Sequence, residues 1–135
     1  MPEAFEHRAL GLTDYKPLIY TAMSKHLFYF RMQISTFVFN NGGVPLNPFM
    51  ISEYFMNDAV ERDIIREANN SVVAAAKEIW VFGAISNGVL AEIKLAKAQN
   101  KPIRYFEIIK SKDVKEVTRE NVVMEDEVAQ FRGEL

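Results

Sequence analysis

Ile79-Trp80-Val81-Phe82-Gly83-Ala84-Ile85-Ser86-Asn87-Gly88-Val89-Leu90-Ala91-Glu92 changes character halfway along. Residues 79–83 are apolar without alternation, which suits a strand covered on both faces in the middle of a parallel sheet. Ser86, Asn87 and Gly88 then supply a hydroxyl, an amide and a residue without a side chain where a helix begins. A turn of this kind lies at the carboxyl edge of the sheet, where open α/β folds bind ligands. The free N–H groups of the helix start suit a phosphate, and Ser86 is equally suited to cap the helix. Glu92 lies one turn further in and can face the same crevice. Its carboxylate also fits the dipole of an ordinary solvated first turn.

Outward from this run, strands and helices alternate. Pro17-Leu18-Ile19-Tyr20-Thr21-Ala22-Met23 reads as the first strand, with Tyr20 expected near its end and its hydroxyl within reach of a ligand. A helix over residues 24–40 follows, with Leu27, Phe30, Ile34, Phe37 and Val38 at helical spacing and Asn40-Asn41-Gly42-Gly43 as its stop. Val44-Pro45-Leu46-Asn47-Pro48-Phe49 is a second strand candidate, and its two prolines suggest an edge position or an early end. A helix from about Asn57 to Lys77, the strand at 79–83, a helix over 87–99 and a strand over 103–108 complete the pattern. The expected fold is α/β: one small Rossmann-like (flavodoxin-like) domain with a mainly parallel sheet flanked by helices. From about residue 110 the chain becomes a charged extension with Val117, Val122, Val123, Met124 and Val128 as its apolar handles.

Composition narrows the function classes. A formal net charge of −2 argues against a duplex nucleic-acid partner. Every apolar run is interrupted well short of a membrane span. Met1-Pro2-Glu3-Ala4-Phe5-Glu6 carries acids where a signal peptide needs basic residues, so a cytoplasmic protein is expected. Without cysteine, and with only His7 and His26, no metal centre is expected, and no cofactor is indicated. The aromatics Phe28, Tyr29, Phe30, Phe37 and Phe39 are too many for one inward stripe. Part of this group is expected to form a homodimer or larger homo-oligomer interface.

Residues 18–106 resemble the nucleoside 2-deoxyribosyltransferase-like superfamily, which includes the deoxynucleoside 5′-monophosphate N-glycosidases. The resemblance rests on Ser86-x-Gly88-Val89-x-x-Glu92, on Ala96 and Lys101-Pro102-Ile103, and on Ile19-Tyr20-Thr21-Ala22. It implies that Glu92 is the nucleophile and that Ser86 holds a 5′-phosphate, with Tyr20 beside the sugar and base. The implied reaction is cleavage or transfer at the N-glycosidic bond of a (deoxy)ribonucleoside 5′-monophosphate. A carboxylate traps the oxocarbenium-like sugar as a glycosyl ester, which water or a second base then releases.

The chain departs from the family at one position. The superfamily usually carries an aspartate about eight residues before the acid that opens the third strand. Counting back from Glu78 gives Asn70, or Asn69 in the neighbouring register. An amide holds a sugar hydroxyl or a base edge but cannot protonate a leaving base. Asp63, two turns earlier on the same helix face, is the substitute acid to consider. Its ordinary alternative is an ion-paired residue beside Arg62 and Arg66. Two classes therefore follow: an N-glycosidase or transferase, and a nucleotide-binding or sensing module of the same fold. Lys25 and His26, after the first strand, can add positive charge to either.

Overall fold

The computed structural model describes residues 3–51, 59–110 and 113–135. One sheet contains five strands: β1 (Leu18–Met23), β2 (Val44–Leu46), β3 (Glu78–Phe82), β4 (Ile103–Lys110) and β5 (Asp113–Val117). Their spatial order is β2-β1-β3-β4-β5. The first four are parallel and β5 pairs antiparallel with β4. The helices are α1 (Arg31–Asn40), α2 (Pro48–Ile51), α3 (Arg62–Ala75) and α4 (Asn87–Ala98). This is the small Rossmann-like α/β architecture read from the sequence.

Both faces of the central strands are buried, which explains why β1 and β3 show no alternation. On one face Tyr20, Ala22, Ile79 and Val81 pack against Val73 of α3 and Val89, Leu90 and Ile93 of α4. On the other, Ile19, Met23, Trp80, Phe82 and Phe106 pack against Ile34 and Val38 of α1. Phe37 lies edge-on to Trp80, Phe82 and Phe106, with centroids 6.1, 6.0 and 5.2 Å away. The aromatic group of the first helix is thus divided. Phe37 joins the core, whereas Tyr29 and Phe39 are 84% and 62% exposed.

Several elements differ from expectation. The first helix opens as a 3-10 segment, Lys25–Phe30, and becomes α-helical only at Arg31. Ser24 caps the 3-10 turn by accepting from the His26 N–H at 3.1 Å. β2 ends early, at Leu46, as its prolines suggested, because Pro48 starts the short α2 and Asn47 Oδ1 accepts from the Phe49 N–H. Its expected edge position is observed. The expected start of the next helix near Asn57 lies outside the described residues, and α3 ends at Ala75. The charged extension forms β5 and a 3-10 stretch, Asp126–Glu134. There Val122, Met124 and Val128 are buried, while Val123 is exposed. Among the described residues no helix is long and apolar enough to cross a membrane.

The topology fixes where a crevice forms. From β1 the chain moves outward to β2, then returns past β1 to β3 and β4. The loops leaving β1 and β3 therefore diverge to opposite sides of the sheet, at the switch point where doubly wound folds bind ligands. Met23 pairs in register with Phe82, so the two loops start at the same height. Gly83 makes the exit from β3 possible. Its φ is +77°, and a Cβ there would lie 2.5 Å from the Leu27 side chain.

Candidate functional site

The switch-point crevice has a volume of about 1100 Å³, slightly above the usual range for small-molecule sites. The turn after β3 builds its floor. Ser86 is the N-cap of α4, and its hydroxyl accepts from the Val89 N–H at 3.3 Å. The Leu90 N–H reaches the Ser86 carbonyl at 2.9 Å. This arrangement leaves the N–H groups of Asn87 and Gly88 without intrahelical acceptors. A Cβ added at Gly88 would meet nothing within 4 Å, so the fold itself does not demand glycine there. The missing side chain keeps the crevice open above the helix start.

Glu92 lies on the face of α4 turned toward the sheet. Its carboxyl accepts a hydrogen bond from the Tyr20 hydroxyl of β1. Tyr20 is the third of six residues in β1 and fully buried, so it sits inside the strand instead of at its end. Its hydroxyl reaches the crevice through Glu92. Removal from water pushes the Glu92 carboxyl up to about 7, and the Tyr20 hydrogen bond opposes that rise by favouring the carboxylate. Burial, reinforced by the neighbouring carboxyl, holds the Tyr20 phenol well above its ordinary range.

Of the residues singled out in the sequence, Tyr20, Asn70, Ser86, Asn87, Gly88 and Glu92 all line the crevice, as do Asn69, Lys25 and His26. Asp63 does not. Its exposed carboxylate is 2.8 Å from Arg66 Nη1, and the α3 residues on the crevice wall are Arg66, Asn69 and Asn70. The reason is position along the helix: Asp63 stands in the first turn, one turn before Arg66. Residues 63 and 70 share a helix face, yet only the later turns of that face reach the crevice.

Charged wall residues that the sequence reading did not assign to the site include Arg66, Lys94, Glu125 and Glu127. Lys94 follows Glu92 on α4, while Glu125 and Glu127 come from the C-terminal stretch. That stretch is fastened to the turn by the Ile85 N–H to the Val123 carbonyl and the Glu125 N–H to the Ile85 carbonyl, both 2.9 Å. Only the apolar residues around position 122 hinted at this docking. Among the described residues no three His, Asp or Glu side chains converge as metal ligands.

The chain belongs to the DUF7768 family, a domain of unknown function, which matches residues 20–106. That stretch runs from Tyr20 in β1 to Phe106 in β4, so it contains the crevice floor and ends before Glu125. No curated protein matches the chain.

The carboxyl set between sheet and helix has a measurable consequence. Because Glu92 titrates near 7 when folded and near 4.5 otherwise, the unfolded chain loses this proton first as pH rises. Stability from this group is therefore complete below about pH 4.5 and falls by roughly 3 kcal/mol by the time pH has passed 7. Glu92→Gln is expected to stabilise the protein at pH 8 and to change it little at pH 4.5, as followed by urea denaturation at both values. An equal effect at both pH values would contradict the raised carboxyl.

Proposed function

We propose that this protein cleaves or transfers the N-glycosidic bond of a (deoxy)ribonucleoside 5′-monophosphate, with Glu92 as the covalent nucleophile. The observation that carries the reading is the Glu92 carboxyl, withdrawn from water at the switch-point crevice and held by Tyr20. The resemblance of residues 18–106 to the nucleoside 2-deoxyribosyltransferase-like superfamily supports the same role. In this mechanism the phosphate lies on the Asn87 and Gly88 N–H groups and the Ser86 hydroxyl, which fixes the sugar over α4. The Glu92 carboxylate attacks the anomeric carbon as the bond to the base breaks, and the bonding electrons leave with the base. The carboxylate has little hydration to shed when positive charge develops on the sugar, and the Tyr20 hydroxyl keeps its second oxygen oriented. Water, or a second base, then displaces Glu92 from the glycosyl ester.

A second reading has its own support. The crevice wall from α3 offers Asn69 and Asn70 where a proton donor to the base would serve, and Asp63 is turned to Arg66. General acid help is typically worth about 10²–10⁴-fold in rate, so without it turnover is slow while binding is retained. In that case the protein is a nucleotide-binding or sensing module. Self-association through the exposed Tyr29, Met32 and Phe39 belongs to either reading.

Incubation with a panel of nucleoside 5′-monophosphates, followed by chromatography for free base, separates the two. The enzyme reading expects base release that disappears in Glu92→Gln and Glu92→Ala, and a glycosyl adduct on the peptide containing Glu92. Binding without release in the unchanged protein favours the sensing module. Turnover that survives both substitutions excludes Glu92 as the nucleophile.

Losing one hydrogen bond to a charged group costs roughly 1.5–3 kcal/mol. Ser86→Ala is thus expected to weaken monophosphate binding roughly ten- to a hundredfold, and free-nucleoside binding hardly at all. Titration calorimetry with both ligands tests this, and equal losses would reduce Ser86 to its capping role. Light scattering is expected to give at least twice the chain mass of 15.5 kDa at micromolar concentration. A monomer of 15.5 kDa would leave Tyr29, Met32 and Phe39 as unpartnered surface.

A further inference from the structure

We propose that residues 3–16 form an arm that docks on the apolar face of α1 and α2 in a second copy of this chain, so that two copies exchange arms. The inference is independent of the nucleotide reading. Every residue of the arm is exposed, including Phe5, Leu10, Leu12 and Tyr15 at 81, 69, 59 and 86%. The arm nevertheless has its own local structure. His7 Nδ1 accepts from the Ala9 N–H at 3.1 Å to cap the 3-10 turn Arg8–Gly11, and Asp14 pairs with Lys16 at 2.6 Å. Among the described residues no hydrogen bond or ion pair joins residues 3–16 to the rest of the chain. Four large apolar side chains are thus held in water by a segment that buries none of them.

The face that fits them is on α1. The exposed positions of that helix are Met32, Gln33, Thr36, Phe39 and Asn40, none of them charged. A helix side that met only water would carry charged residues. Met32, Thr36 and Phe39 follow at i, i+4 and i+7 and form one stripe. α2 widens it, because Ser35 Oγ donates to Met50 Sδ at 3.4 Å and Met50 and Ile51 are 48 and 53% exposed. The Phe28 ring lies edge-on to those of Tyr29 and Phe49, which joins the exposed Tyr29 to the same surface. A continuous apolar surface of this kind marks an interaction site.

Charge, position and size point to the arm as its cover. Between Asp14 and Glu53 the chain has no acidic residue, while Lys25 and Arg31 open the two helical segments that carry the face. The arm brings Glu3 and Glu6, which have no ion-pair partner among the described residues, against Arg8 as its one unpaired Lys or Arg. It leaves the domain at Pro17, whose carbonyl accepts from the Val44 N–H at 2.8 Å just past the end of α1, so it starts close to Phe39. A stable interface takes about 20–30 residues a side. Arm or face alone falls short of that, whereas the two together reach it. A two-fold axis makes both arm-to-face contacts at once.

The test is sedimentation velocity on the full chain over a range of concentrations, with two variants confined to exposed positions. The unchanged chain is expected to be a dimer at micromolar concentration. The arm variant Phe5→Ser/Leu10→Ser/Leu12→Ser/Tyr15→Ser and the face variant Met32→Gln/Phe39→Gln are each expected to raise the dissociation constant at least about a hundredfold. An equal mixture of the two is expected to associate again, more weakly than the unchanged chain, because one intact arm still meets one intact face. A monomeric unchanged chain would overturn the proposal. So would a dimer that survives in either variant, since the face then pairs with another face or the arm with another arm, and so would a mixture that stays monomeric. Hydrogen exchange on the unchanged chain gives a check that needs no variant. The amides of residues 3–16 are expected to gain protection as concentration rises, and exchange that stays equally fast throughout contradicts the docked arm.

Discussion

A carboxyl group between a sheet and a helix must be met by a donor, and here Tyr20 supplies it to Glu92. Much of the local structure serves this one pairing. Tyr20 has to sit in the interior of β1 for its ring to fill the core and its hydroxyl to reach α4. α4 has to be started sharply enough by Gly83 and Ser86 to present Glu92 inward. Among the described residues no buried side-chain polar atom lacks a partner, so the cost of burying this pair lies in removing charge from water and not in a missing bond. Such a cost is commonly tolerated where the group has chemistry to perform.

The opposite face of the sheet solves a different problem. β4 and β5 are joined by only two residues, which leaves no length for a covering helix. The aromatic residues Trp80 and Phe106 are instead sheltered by Phe37 and by the Arg104 guanidinium, which lies 4.7 Å from the Trp80 ring and 5.2 Å from that of Phe106. Glu116 of β5 holds Arg104 in place through two hydrogen bonds of 2.9 and 2.7 Å. As an exposed ion pair this contributes little, and its use is to keep the planar cation on the rings. The crevice thus opens at the carboxyl edge of the sheet, while this face is closed by α1, a cation and an aromatic layer.

The sequence made the local parts of this design legible. The unalternating apolar run at 79–82 specified a central strand, and Ser86, Gly88 and Glu92 were visible because a strand, a cap and a helix turn follow each other directly. Pro45 and Pro48 marked β2 as an edge. What stayed hidden was non-local. β5 alternates too weakly to stand out, and its pairing depends on a hairpin with β4. The place of Arg66 on the crevice wall, the absence of Asp63 from it, and the approach of residues 123–125 to Ile85 depend on where whole elements end in space. Lys101, visible in the sequence only as part of Lys101-Pro102-Ile103, donates to the carbonyls of Ala74 and Ala76 and so closes the end of α3.

The Ile85–Met124 bridge gives the crevice two parts of different kinetic character. The floor comes from a contiguous strand–turn–helix unit, whose contacts form over short loops. The C-terminal stretch joins residues far apart in the chain through two backbone bonds to Ile85, the buried Val122, Met124 and Val128, and the contacts of Lys94 and Lys97 with residues 134 and 135, so its contacts close a longer loop than those of the floor. The amides of Ile85 and Glu125 record any opening of that loop, because each loses its hydrogen-bond acceptor whenever the stretch lifts away.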